Sequence, residues 1–554
     1  MVKVSGEQGS GQVHSAEVCR VEGPQGKSST MEWHPHAGDL FSLSTDKSID
    51  IYALENGSLA SVPQISLSTE SEISKQHYWT PLTGSRLFSH STKNVISTYD
   101  PRSSSLPTTL LSSLNLLPNR PSVSTLLDDT TLLVTGTSSI TRNPLLQIFD
   151  LRTTPTLPTH TIDFPSSSPS STLIPLCDPH RRTAYLLQTQ SSSIYSLDLN
   201  APAPTPTGAR LTTTIIGGGL LPPWEVDVMR AEINRIYVAG SAGEIGAVGV
   251  RVERRSYLDF HEDLFPEVFG PGTGGSGREW LEGKDTVREM VSLDPEKQGW
   301  RTKLVMGAKE QIPPTIAGTQ EERKEVNPST ERTEIPMTTT IPANDDTSSP
   351  STATPISTIP PQTSSLPTTA SLPQSQPPSS QPIPSTPTPS TTPISPNYTR
   401  KFLTGTLHHP SKHYTSLPPP PTTSLHRTLT STSTHIAYPL SGPGGRLAMI
   451  PLSSPGRQSS PATISNGSSL VDFSLSPFDQ EVLCAGEDGK VRICSFEVQE
   501  RGVLGGVEKV IQVEWNPVVR GVVGVLCVDI GRCEFRVWDV QNSQTKRAEL
   551  GYMV

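Results

Sequence analysis

Five stretches of this chain share one format, and that format restricts the fold more than any other feature. An apolar strand leads into a Pro-containing turn. A second apolar strand follows, then an Asp-containing turn and a third apolar strand. MEWHPHAGDLFSLSTDKSIDIYAL (31–54), LVDFSLSPFDQEVLCAGEDGKVRICSF (470–496) and VIQVEWNPVVRGVVGVLCVDIGRCEFRVWDV (510–540) follow it closely. YWTPLTGSRLFSHSTKNVISTYDPR (78–102) and VSTLLDDTTLLVTGTSSITRNPLLQIFDLR (123–152) follow it more loosely. Period-two runs bounded by Gly, Pro, Asn and Asp dominate, and long helical periodicity is weak, so the fold class is all-β.

Four strands in a repeat of about 40–45 residues is the sequence format of a WD-repeat propeller blade. Asp488-Gly489 supplies a tight turn between two strands, and Asp46-Lys47 occupies the same place in its copy. Val491, Ile493 and Phe496 offer apolar surface to neighbouring blades. Trp538-Asp539 is the one literal Trp-Asp pair; Tyr52, Phe149 and Cys494 stand where Trp is usual. Asp46, Asp488, Gly489, Trp538 and Asp539 are therefore assigned to the structural turns of the blades.

The chain is not folded throughout. Hydrophobic residues make up 33% of its 554 positions and there are 54 prolines, too little apolar surface in places to offset chain entropy. The deficit is concentrated in residues 303–399, a tract of Ser, Thr and Pro that reads as a disordered linker. Phosphorylation or proline docking is the functional alternative for this tract. The charge balance, 44 − 53 = −9, argues against nucleic acid as a partner. No run approaches 18 apolar residues, and the amino terminus has no apolar signal core. The six cysteines form no CxxC pair, which reads as reduced thiols of a cytosolic protein, not a disulfide frame or zinc site.

The order of the blades resembles that of the coronins, in particular the long members with two tandem propellers. MEWHPHAGDLFSLSTDKSIDIY resembles the family's third blade, the run ending in STYDPR the fourth, and LLVTGTSSITRNPLLQIFD the fifth. LIPLCDPHRRTAYLLQTQSSSIYSLDL (173–199) resembles the sixth. EVDVMRAEINRIYVAG, VRVERRSYLDFHEDLFPEVFGP and REWLEGKD (225–285) resemble the seventh blade and the extension packed beneath it. TRKFLTGTLHHPSKHYTSL resembles the family's amino-terminal signature, with YPLSGPGGRLAMIPLSSPGR (438–457) as the strand pair that follows it.

The expected organisation is a flexible terminus (1–30), a first propeller region with its extension (31–285), the linker (303–399) and the start of a second propeller (400–554). Against the family pattern, the first region begins at the third blade and the second stops after about its third. The chain is then either truncated at both ends, or its second part folds back and donates blades to the first. The latter arrangement would complete a seven-bladed ring with one blade left over. Open sheet edges favour closure. A linker of about 95 residues has a random-coil span of about 50–60 Å, enough to permit it.

The resemblance implies binding to actin filaments and control of their assembly, often with the Arp complex, in a cytoplasmic, cytoskeleton-associated protein without cofactor. For the two-propeller branch it implies Golgi and endosomal trafficking partners. Arg400, Lys401 and Lys412 are the candidate actin contacts, and Pro418, in the run Pro418–Pro421, stands where a basic residue is expected. Other constellations read as structural. GPGTGGSG (270–277) lacks a phosphate-loop ending and reads as a flexible turn. His408, His409 and His413 read as surface histidines. His261, Glu262 and Asp263 belong to the extension, and Arg251, Arg254 and Arg255 to a solvated face or an anion-binding one. No nucleophile with a partner base is recognisable, so no enzymatic chemistry is expected.

Overall fold

The computed structural model describes residues 15–22, 30–55, 58–59, 63–69, 74–112, 114–152, 157–201, 203–270, 274–285, 287–297, 299, 403–421 and 427–540. The Ser/Thr/Pro tract, Arg400, Lys401 and most of the first 30 residues lie outside them.

Besides the short pair Val268–Phe269 and Met290–Val291, eight mainly antiparallel sheets, the blades, succeed one another along the described chain. They are blade 1 (31–68), blade 2 (74–111), blade 3 (123–163), blade 4 (173–210), blade 5 (215–252 with 403–407), blade 6 (430–465), blade 7 (470–504) and blade 8 (509–539 with 16–22). At five of the junctions, those of blades 1 and 2, 3 and 4, 4 and 5, 5 and 6, and 7 and 8, the first strands lie against one another, as strands around the axis of a ring do. Second strands such as Leu40–Ser44 and Thr131–Thr137 are buried along their whole length, because neighbouring blades cover both faces. The outermost strand Thr207–Arg210 is largely exposed.

Two blades are completed by distant segments. Leu403–Leu407 is the fourth strand of blade 5, pairing Val252↔Leu403 through Val248↔Leu407. The Ser/Thr/Pro tract therefore joins the third and fourth strands of one blade. Ala16–Glu22 is the outer strand of blade 8, pairing Ala16↔Asp539 through Glu22↔Glu534. The ring closes between blades 8 and 1, where the Gln512 amide accepts from Met31 N (3.1 Å) and donates to Met31 O (3.0 Å). Five blades begin in the first part of the chain and three in the second. All eight enter one ring, whereas the family order suggested seven with one left over.

Each junction between blades holds its own buried apolar cluster. Tyr185, Ile236 and Val248 fill the junction of blades 4 and 5, and Tyr237, Tyr414 and Tyr438 that of blades 5 and 6. At the 8/1 junction Tyr52 stacks on Phe41 (5.5 Å between centroids) beside Trp33 and Phe535. The residues standing in for Trp thus do the same work: Phe149 packs between blades 2 and 3, Cys494 between blades 6 and 7. All six cysteines are free thiols. Among the described residues, no helix is long and apolar enough to cross a membrane.

Candidate functional site

In a four-stranded meander the turns joining strands one to two and three to four fall on one face of the ring, here called the lower face. Turns joining strands two to three, and the connections between blades, fall on the upper face. The lower-face turns are bonded to one another around much of the ring. Arg520 of blade 8 pairs with Asp479 of blade 7, and Asn516 donates to Gly38 O of blade 1. His34 Nε2 donates to Gly84 O of blade 2 (2.9 Å), and Leu82 N to Asp129 of blade 3 (2.8 Å). Asp128 pairs with Arg182 of blade 4 (3.2 Å), and Arg181 donates to Pro223 O of blade 5 (3.2 Å).

Residues 253–270, 274–285 and 287–297 run as a strap across this face. Trp280 is fully buried among Ala37, Leu40 and Trp79, with the Arg102 guanidinium 5.0 Å above its ring. Arg102 also pairs with Asp285 (2.8 Å). Phe269 meets the rings of His36 and His180, each at 4.7 Å. Arg288 lies 5.3 Å over Phe269 and donates to Pro517 O (3.2 Å). The strap so connects blade 5 to blades 1, 2, 4 and 8, and this part of the lower face is taken up by the chain itself.

The first strands contribute an acidic cluster centred on one arginine. Arg427 Nη1 donates to Asp472 (3.1 Å), Phe473 O (3.1 Å) and Val513 O (3.2 Å), and Nη2 to Glu514 (3.2 Å). Burial, then the neighbouring Glu514 carboxylate, raises the Glu32 pKa well above its usual value; burial also raises that of Glu514. Replacing Arg427 with Met leaves three carboxyls facing one another without their cation. The expected loss is about 2–3 kcal/mol in chemical denaturation, below that of a fully buried pair because the guanidinium stays partly exposed. A loss under about 1 kcal/mol would show the arginine to be dispensable.

The upper face differs in charge. From the turn of blade 2 round to that of blade 6, its loops and adjoining strand ends carry Lys93, Arg120, Arg142 and Arg446, with two carboxylates, Asp163 at the end of the outer strand of blade 3 and Glu244. Glu244 accepts from Thr212 (2.9 Å) and Thr213 (2.6 Å). Lys75, bonded to Ser122 (2.6 Å), lies just beneath, and burial lowers its pKa to about 8. In a chain of net charge −9, this arc is a local excess of positive charge.

Asp46 sits in the upper-face turn of blade 1, and Asp488 and Gly489 in that of blade 7. Gly489 has φ +72°, and a Cβ there would meet Val507 O at 1.7 Å, so the turn requires glycine. Arg492 hydrogen-bonds the Asp488 carboxylate (2.8 Å) and lowers its pKa to about 2. Trp538 and Asp539, assigned to a turn, instead lie in the strand Arg532–Asp539. They are held there on both sides, pairing with Val523 and Val522 and with Glu17 and Ala16. Lys412 is exposed on the 3-10 turn Pro410–Lys412 at the outer edge of blade 5. Pro418–Pro421 lies on the upper face, where Leu417 N donates to Gly243 O (2.9 Å) and Ser441 N to Pro419 O (2.8 Å).

The histidines expected at the surface divide. His409 is exposed, His413 is buried, and His408 stands 3.5 Å from the buried Glu232 carboxylate. The nearby His408 ring and the hydrogen bonds from Arg235 outweigh burial and bring the Glu232 pKa down to about 2. Gly274 and Gly277, read as part of a flexible turn, lie against blade 1. A Cβ on Gly274 would meet His36 O at 1.8 Å, and Gly277 N donates to Asp39. Asp263 pairs with Arg254, and His261 hydrogen-bonds Ser256 O, so both serve the strap. Arg251 is half-buried and Arg255 exposed.

A ring of four-stranded antiparallel blades with these turns defines a WD-repeat β-propeller protein. A family model described as a type of WD40 repeat matches residues 245–287. Coronin-7 of Pongo abelii is 26% identical over 388 residues, covering 67% of this chain and 39% of that protein. Coronin-7 of Rattus norvegicus is 26% identical over 398 residues, covering 68% and 40%. The chain thus spans about two fifths of the length of the curated relatives it matches. Among solved structures, the WD40 domain of Toxoplasma gondii coronin is 19% identical and covers 49% of this chain and 68% of its own, with a TM-score of 0.42. The blade motifs and the similarity to Coronin-7 support a coronin-family WD-repeat protein.

Proposed function

We propose that this chain is a non-catalytic docking platform that binds actin filaments in the cytoplasm through its upper face. The observation that carries the reading is the carboxylate-poor arc of Lys93, Arg120, Arg142 and Arg446. Actin is acidic on its exposed surface, and complementary charge steers such encounters. The first part of the chain (31–285) and the second (400–554) act here as one body. Arg400, Lys401 and Lys412 are proposed as auxiliary contacts, and the Arp complex as a further partner.

Co-sedimentation with actin filaments tests this. The full chain is expected to pellet, and Lys93→Glu, Arg120→Glu and Arg142→Glu together to reduce binding by about tenfold or more, with weaker binding at higher salt. A full chain that stays in the supernatant ends the actin reading. Pro418–Pro421 favours a second reading, a Golgi or endosomal trafficking scaffold without actin binding. It puts a stiff apolar segment across blades 5 and 6 where a basic residue was expected.

A further inference from the structure

The upper-face turn of blade 3, Ser138–Asn143, is built more firmly than a solvent loop requires. Ser138 Oγ accepts from Ile140 N (3.3 Å) and Thr141 N (3.1 Å). Ser138 N donates to Asn143 O (2.9 Å), and Arg142 N to Ser138 O (3.2 Å). The loop entering the blade is bonded to the same turn: Ser139 N donates to Asn115 O (3.0 Å) and Leu117 N to Thr137 O (2.9 Å). Two residues that favour negative φ are held in the left-handed region, Asn115 (φ 49°) and Arg142 (φ 64°). That costs about 1–2 kcal/mol at arginine, and surrounding bonds must hold it.

This rigid double loop displays an aliphatic side chain. Ile140, at its tip, is 81% exposed. Arg142 follows it on the same turn, and Arg120 is exposed on the loop bonded to that turn. No Asp or Glu occurs from 112 to 127 or from 131 to 149. A lone exposed isoleucine needs no explanation. An isoleucine on a fixed turn, with arginines on both participating loops and no carboxylate in either, is an anchor with a charged rim. Interface hot spots combine these elements: an apolar contact whose position is prepaid in rigidity, and arginine beside it.

We infer that the blade 3 knob binds an extended acidic peptide segment carrying an aliphatic residue, which packs on Ile140 while its carboxylates meet Arg120 and Arg142. The inference rests on reading the upper face as a docking platform; it does not depend on actin being the partner. Charge complementarity selects this occupant, since a neutral or basic segment would leave both guanidiniums unmatched.

Fluorescence anisotropy on the full chain decides it, with two fluorescein-labelled peptides of equal length, one alternating Glu and Leu and one all Glu. The Glu/Leu peptide is expected to bind at least about tenfold more tightly than the all-Glu peptide. Ile140→Asp, and separately Arg120→Glu with Arg142→Glu, should each weaken it about tenfold or more, while Ile530→Asp on the equally exposed turn of blade 8 changes nothing. These side chains are exposed, and unchanged melting curves will show that the variants fold. Equal affinity for both peptides, or for wild type and Ile140→Asp, overturns the inference, as does equal loss with Ile530→Asp. A chain that pellets with actin yet binds neither peptide also overturns it and leaves the platform standing.

Discussion

A chain cut anywhere between residues 300 and 402 is expected to elute from a sizing column as one particle of undiminished size. Separating the pieces would open the junctions of blades 5 and 6 and of blades 8 and 1. Each holds at least a dozen buried apolar residues. At about 1.5–3 kcal/mol per buried side chain, either junction outweighs the roughly 4–15 kcal/mol lost on association. Two strand pairings would break as well: Leu403–Leu407 from Val248–Val252, and Ala16–Glu22 from Glu534–Asp539. Because the cut falls between two hydrogen-bonded strands of one blade, it removes a connection and leaves that pairing in place. Limited proteolysis followed by chromatography at micromolar concentration gives the answer. Pieces that resolve into two peaks would show that the ring does not hold across the chain.

Much of this ring is legible in the sequence because a blade is a local object. Strand, Pro turn, strand, Asp turn and strand lie within about 40 residues, and Asp488-Gly489 falls in its turn because only glycine fits there. The strap is also visible, through its resemblance to the coronin extension. What local pattern does not carry is closure. Ala16–Glu22 pairs with a strand more than 500 residues away, and nothing in AEVCRVE names that partner. The number of blades depends on how every junction packs, so eight cannot be read from any one repeat. Trp538-Asp539 was assigned by its motif, but its place is set by strands on both sides. Arg427 carries no motif; its acceptors lie 45 to 87 positions further on. His413 and Gly274 depart from their local pattern for one reason: polarity and glycine content describe a segment, whereas burial is decided by what the ring lays over it.

Acid should unfold this protein well above the pH at which carboxylates titrate, because four histidines are buried in the neutral form. His34 is the clearest. Its Nδ1 accepts from Ala37 N (2.9 Å) and His36 N (3.2 Å) while Nε2 donates to Gly84 O, so no ring nitrogen is left for a second proton. Burial lowers its pKa to about 3. His77, between Thr30 and Ser42, is lowered to about 4 by burial. His36, beside Arg288, is lowered to about 4, and His90, near Lys75, to about 3, burial again being the larger cause. Each folded pKa is depressed, so the stabilisation is complete above the unfolded value of about 6.5 and is lost as pH falls toward 3–4. At pH 5.5 each histidine forfeits about 1.4 kcal/mol, or about 5–6 kcal/mol for the four, comparable with the whole stability of many domains. Glu32 and Glu514 act in the opposite sense, since carboxyls with raised pKa are relieved by protonation, and they offset part of the loss. Glu232 and Asp178, both lowered, add their own loss only below about pH 4.5. The melting temperature followed by tryptophan fluorescence is therefore expected to fall steeply from pH 7 to 5, and His77→Gln to flatten that slope by about a quarter relative to its own value at pH 7. A melting temperature that holds level across this range would mean that these rings are protonated in place, and that the bonds tying blade 1 to blade 2 are not those of neutral imidazoles.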